Sequence, residues 1–95
     1  SDYQIIFNAN YIRYAGNESE EISINIVKKQ YVSNVIYEID EQGAFSYNIN
    51  SIDYYIMDNL GKRRIVWQNG QFECYISGDF TEKEALKMID SIYKE

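Results

Sequence analysis

Two alternating stretches flank Asn69-Gly70 and a capped amphipathic segment follows them directly, a combination that leaves this chain few ways to fold. A two-residue Asn-Gly turn favours type I′ geometry, because both central positions need positive φ, which Asn tolerates and Gly adopts without steric cost. The flanks are therefore expected to pair antiparallel, as strands over 63–68 and 71–77. Ile65 and Trp67 fall on one face with Val66 opposite, and past the turn Phe72, Cys74 and Ile76 alternate with Glu73 and Tyr75. One face of this hairpin is apolar and needs a cover. Gly78-Asp79 ends the second strand, and Thr81-Glu82-Lys83-Glu84 has capping-box spacing: the Thr81 hydroxyl accepts from the Glu84 backbone while the Glu84 side chain reaches back. Beyond the cap, Ala85, Leu86, Ile89, Ile92 and Tyr93 recur at helical spacing, so their stripe belongs on the apolar face of the hairpin.

Upstream the pattern is strand-like almost throughout. Residues 3–7 read as a short strand, interrupted by Asn8-Ala9-Asn10, with a second strand over 11–15. Gly16-Asn17-Glu18-Ser19 is turn chemistry, after which Ile22, Ile24 and Ile26 alternate with Ser23 and Asn25. Residues 31–42 fit a helical stripe and a strand equally, and an irregular crossover is expected there. Phe45, Tyr47 and Ile49 then alternate, and Asn50-Ser51 connects them tightly to Ile52, Tyr54 and Ile56 as a second hairpin. Asp58-Asn59-Leu60-Gly61 turns the chain into the strand at Arg63. The expected fold class is α+β: a single twisted antiparallel sheet of about five to seven strands with the C-terminal helix packed on one face. Residues 1–95 make one domain at this length.

Composition narrows the function classes. The net charge is −6 and the nine Lys and Arg form no long basic tract, so no nucleic-acid partner is expected. There is no His, which removes the commonest general base, the usual nucleophilic triads and most catalytic zinc sites. Cys74, in phase with Phe72 and Ile76, reads as a small core hydrophobe, and Trp67 as a core anchor. Glu18, Glu20 and Glu21 lack the oxygen-ligand spacing of a calcium loop and read as a solvated turn. Asp40, Glu41, Asp53 and Asp58 sit near strand ends as ordinary acidic turn residues, and Lys62-Arg63-Arg64 reads as a solvated hairpin end. No catalytic residue, cofactor or metal ligand is assigned.

The run over residues 64–92 resembles the C-terminal part of the domain of unknown function 4367 family. The likeness is carried by Trp67, Gly70, Tyr75, Ile76, Ser77, Gly78, Thr81, Glu84, Leu86, Ile89 and Ile92. Upstream only a looser strand pattern is shared, and residues 31–42 show no likeness. The resemblance implies context: such domains form the outer part of membrane-anchored proteins of Gram-positive bacteria, some with an anti-sigma-like segment near the N-terminus. It implies extracytoplasmic placement, with the anchor in an N-terminal segment outside this chain, and no catalytic residues.

Three functions are open to such a chain. The first is a non-enzymatic sensory or protein-interaction module. Its partner is expected at Tyr3, Ile5 and Phe7, because 3–7 has strand composition but no tight turn to a neighbour and so belongs at a sheet edge. The second is a small-ligand or glycan carrier using Tyr11, Tyr14, Tyr47, Tyr54 and Tyr55, drawn from ten tyrosines in all. The third, a carboxylate hydrolase, needs two acidic side chains facing each other across a cleft.

Overall fold

The computed structural model describes residues 3–29, 45–59 and 62–92. Among the described residues six strands, β1 (Tyr3–Ala15), β2 (Glu18–Lys29), β3 (Phe45–Ile49), β4 (Ile52–Asn59), β5 (Lys62–Asn69) and β6 (Phe72–Gly78), precede one helix, α1 (Glu82–Ser91). The strands form one sheet in the order β1-β2-β6-β5-β4-β3, antiparallel at every step. This is the expected α+β arrangement. The irregular crossover expected over 31–42, the acidic pair Asp40 and Glu41, and Tyr93 lie outside the described residues.

Turn chemistry sets the hairpins. Asn50 and Ser51 both have positive φ, at 54° and 67°, as a type I′ turn requires, and Ile49 pairs with Ile52 across them. The β5–β6 turn differs from expectation by one residue. Asn69 already pairs with Phe72, so the two turn residues are Gly70, at φ 62°, and Gln71, which suits a type II′ turn with Gly first. Trp67 therefore pairs with Cys74, and Ile65 with Ile76. The faces survive the slip because it shifts each cross-strand partner by two positions, and side chains alternate with a period of two.

The N-terminal half departs more. Asn8-Ala9-Asn10 does not interrupt a strand: β1 is continuous, and these residues pair with Asn25, Ile24 and Ser23. The low strand propensity of Asn is offset by side-chain partners across the ladder, Asn8 Nδ2 donating to Asn25 Oδ1 at 2.5 Å and Ser23 Oγ to Asn10 Oδ1 at 2.6 Å. The irregularity lies earlier, as a register shift between Ile5 and Phe7. Glu18, Glu20 and Glu21 belong to β2 rather than to a turn, since Ala15 pairs with Glu18 and leaves only Gly16-Asn17 between the strands.

α1 starts where the cap dictates. Glu84 N–H donates to Thr81 Oγ1 at 3.1 Å, and Thr81 N–H to Glu84 Oε1 at 2.9 Å. Ala85 and Ile89 are wholly buried against Tyr54, Ile56, Ile65, Trp67, Cys74, Ile76 and Phe80, with Ile22, Ile24, Ile26, Leu86, Met88 and Ile92 packed around them. The opposite face is also dry at its centre, where Val27, Met57, Val66 and Glu73 are buried. Gly78 closes the junction between β2 and β6. A Cβ there would stand 2.1 Å from the Glu21 carbonyl oxygen, so no larger residue fits without moving backbone.

Candidate functional site: the outer strand and the cleft beside it

Among the described residues β1 is the outermost strand, hydrogen-bonded on one side only, to β2. The large apolar side chains left exposed among the described residues gather on it: Ile5, Ile6, Phe7, Tyr11, Ile12 and Tyr14, with only Tyr47 and Phe72 elsewhere. Cross-strand register assigns their faces. Phe7 and Tyr11 pair with Ile26 and Ile22 and so project on the helix side, whereas Ile5 and Ile12 pair with Val27 and Glu21 on the other. The strand thus presents apolar groups on both faces beside an unpaired row of backbone donors and acceptors. Natural edges are usually guarded by brevity, Lys, Pro or a bulge. β1 has a bulge near its start, but from Phe7 onward it contains no Lys and no Pro. The opposite edge, β3, covers five of the described residues.

Beside Tyr11 lies a shallow cleft of about 90 Å³ lined by Tyr11, Arg13, Glu20, Ile22, Asp79, Phe80, Glu84 and Met88. Its lining combines the apolar Ile22, Phe80 and Met88 with charged groups, and each lining carboxylate has a donor. Glu20 accepts from Arg13 across the β1–β2 ladder. Asp79 accepts from Lys62 Nζ at 3.1 Å and from the Glu21 backbone N–H at 3.3 Å; these two bonds hold its carboxyl below the ordinary range. Glu84 is held low by the Thr81 backbone N–H first, then the Thr81 hydroxyl, with Arg13 and Lys87 adding smaller attractions. Asp79 and Glu84 are therefore anions at neutral pH. No group of three or more His, Cys, Asp or Glu among the described residues is placed to hold a metal.

The five tyrosines singled out from the sequence do not share a surface. Tyr11 is 68% exposed on the helix side, Tyr14 is 76% exposed on the other, and Tyr47 lies on the β3 edge. Tyr54 is 1% exposed, its ring 5.4 Å from that of Trp67 in the core, and Tyr55 is half-buried on the face away from the helix. Of the expected edge residues, Ile5 and Phe7 are exposed on β1, and Tyr3 is its first residue. Cys74 is a buried thiol and Trp67 a buried core residue. Lys62 and Arg63 are engaged with Asp79 and Asp58.

Sequence reasoning missed one polar feature. Lys29 and Glu73, 4% and 1% exposed, face each other at 3.5 Å, and Lys29 Nζ also donates to Gln68 Oε1 at 2.5 Å. The signal was present in β5, where Ile65, Val66 and Trp67 are consecutively apolar, the mark of a strand covered on both faces.

The family model for a domain of unknown function, DUF4367, matches residues 4–92. Neither a curated protein nor a solved structure matches the chain.

Proposed function

The chain belongs to the DUF4367 family, and from that premise we propose that it is a non-enzymatic interaction module, the extracytoplasmic part of a membrane-anchored bacterial protein, that engages another polypeptide through the outer edge of β1. The observation that carries this reading is the concentration of exposed apolar side chains on one unguarded edge strand. Covering a half-exposed Ile or Phe is worth on the order of 1 kcal/mol, so a strand laid along β1 gains from several such groups as well as from main-chain hydrogen bonds. The family resemblance supports the cellular setting. A glycan or small-ligand surface is less well supported, because the tyrosines that would build it are split between both faces, one edge and the core.

A photo-reactive amino acid at Ile12 of the parent protein, with one at exposed Asp53 on β4 as the control, tests the reading in cells. The expected result is a discrete protein adduct from position 12 and none from position 53. Identical patterns from the two positions, or no adduct from position 12, would refute it.

A further inference from the structure

We propose that the strand added at this edge is the β1 of a second copy of the chain, joined antiparallel about a two-fold axis at Tyr11 so that the two sheets become one. The inference rests on the edge reading above and names its occupant. Three observations carry it.

The first is charge. The domain bears a net charge of −6, yet β1 contains a single charged residue, Arg13, whose guanidinium is engaged with Glu20 of its own β2. Like charges directly opposite one another are what usually forbids a strand from pairing with itself, and none arises here.

The second is register. The bulge between Ile5 and Phe7 limits regular pairing to 7–15, and the self-pairing that uses all of this segment is centred on Tyr11. Because a two-fold axis perpendicular to a sheet keeps its faces, Phe7, Ala9, Tyr11 and Arg13 of both copies remain on the helix side. Phe7 then faces Ala15, Arg13 faces Ala9, and the two Tyr11 meet on the axis. On the other face Tyr14 comes opposite Asn8, and Ile12 opposite Asn10. Each large side chain off the axis has a smaller one across from it, which is the self-complementarity an isologous interface needs.

The third is the asymmetry of the sheet. Among the described residues the β3 edge is short, whereas the β1 edge is long and apolar on both faces. A single unguarded edge among the described strands yields a closed pair, because once β1 is covered no second described edge of the same kind remains to extend the assembly.

The dyad position makes the test specific. Tyr11 is exposed, so Tyr11→Lys and Tyr11→Glu leave the core untouched, but each sets two like charges against each other on the axis. Sedimentation of the wild type up to about 1 mM, the weak end of measurable association, is expected to show a monomer–dimer equilibrium. Each variant alone should dissociate at least tenfold more readily, with thermal melting confirming that it is folded. An equimolar mixture of the two should recover a heterodimer, which loss of stability cannot produce. Added salt should strengthen the wild-type dimer by screening the repulsion between two anionic domains. A dimer weakened by salt, variants that dimerise like the wild type, or a mixture that stays monomeric would each overturn the proposal. A wild-type chain that remains monomeric while position 12 still crosslinks to a different protein overturns the second copy and leaves the edge reading standing. Absence of any crosslink removes the edge reading itself.

Discussion

The β5–β6 and β1–β2 hairpins are built alike: each is antiparallel, each turns on a Gly with positive φ, and they meet where β2 pairs with β6. Their surroundings differ completely. Ile65, Val66 and Trp67 of β5 are buried on both faces, whereas Ile5, Phe7, Tyr11, Ile12 and Tyr14 of β1 are exposed on both. Similar side chains thus serve opposite ends, and what separates them is position in the sheet. Apolar residues in the middle strands stabilise the domain, while those on the outer strand remain available to another chain. That assignment is sharpest where matching groups occur in both hairpins.

Ion pairs offer the largest contrast. Lys29–Glu73 is buried, so Glu73→Ala, which removes a carboxylate that faces the ammonium in a dry site, is expected to cost about 3 to 5 kcal/mol in urea melts. Arg13–Glu20 spans the exposed ladder, and Glu20→Ala should cost under about 1 kcal/mol. Comparable losses at the two sites would break the comparison, for they would place the Arg13–Glu20 part of the outer ladder in the cooperative core, beside the Lys29 end of β2 that already belongs to it.

Truncating one isoleucine in each region gives the next largest difference. Ile65→Ala removes a wholly buried side chain from under α1 and should cost about 2 to 5 kcal/mol. Ile12→Ala removes a side chain that is nearly half exposed and should fall within about 0.5 kcal/mol of wild type, the range of ordinary surface changes. A costly Ile12→Ala in the isolated, monomeric chain would mean that β1 is held by its own fold and is not in reserve for a partner.

The helix cap is smaller still. Thr81→Ala removes the acceptor for Glu84 N–H and should cost about 1 kcal/mol, with Thr81→Ser retaining most of the stability. Denaturation followed by Trp67 fluorescence reads it directly, since α1 covers the core around that ring. An unchanged midpoint for Thr81→Ala would show that packing of Ala85 and Ile89 alone sets the start of α1.

The two hairpins were unequally legible in the sequence, for a physical reason. β5–β6 carries a period-two pattern, a Gly turn and a capped helix that agree with one another, and even the turn's slip left the faces intact. In β1–β2 the local signals conflict with the outcome. Asn8 and Asn10 disfavour a strand alone, and Glu18 to Glu21 resemble a turn; both are strand because partners on the neighbouring strand exist. Cross-strand partners are not visible in local propensity. Burial on the second face was likewise hidden: Glu73 lies out of phase with the apolar Cys74 and Ile76 of its strand, yet it is buried. The edge itself was readable from the strand composition of 3–7, but its full length was not.

The smallest expected effect tests the joint between the hairpins. Asp79 follows β6, accepts from Lys62 at the start of β5 and from the Glu21 N–H in β2, and donates its own N–H to the Glu21 carbonyl at 3.1 Å. Its carboxyl is held below the ordinary 3.8, chiefly by the Lys62 bond and then by the Glu21 N–H. A carboxyl with a lowered folded-state pKa contributes stability that is present above its unfolded value and lost as pH falls through the folded value. Acidification below about 3.8 should therefore loosen the attachment of β2 to β6, and amide exchange at Glu21 should rise before that at Val66, in the strand buried on both faces. Glu84, held below 4.5 by the Thr81 N–H, also loses this bond on acidification and loosens the first turn of α1 instead, so Asp79→Asn is needed to separate the two. That variant should exchange faster at Glu21 already at neutral pH and show little further change there on acidification, while α1 keeps its own acid response. If Glu21 and Val66 lose protection together in the wild type, the hairpins form one cooperative unit, and β1–β2 is no more detachable than the strands beneath the helix.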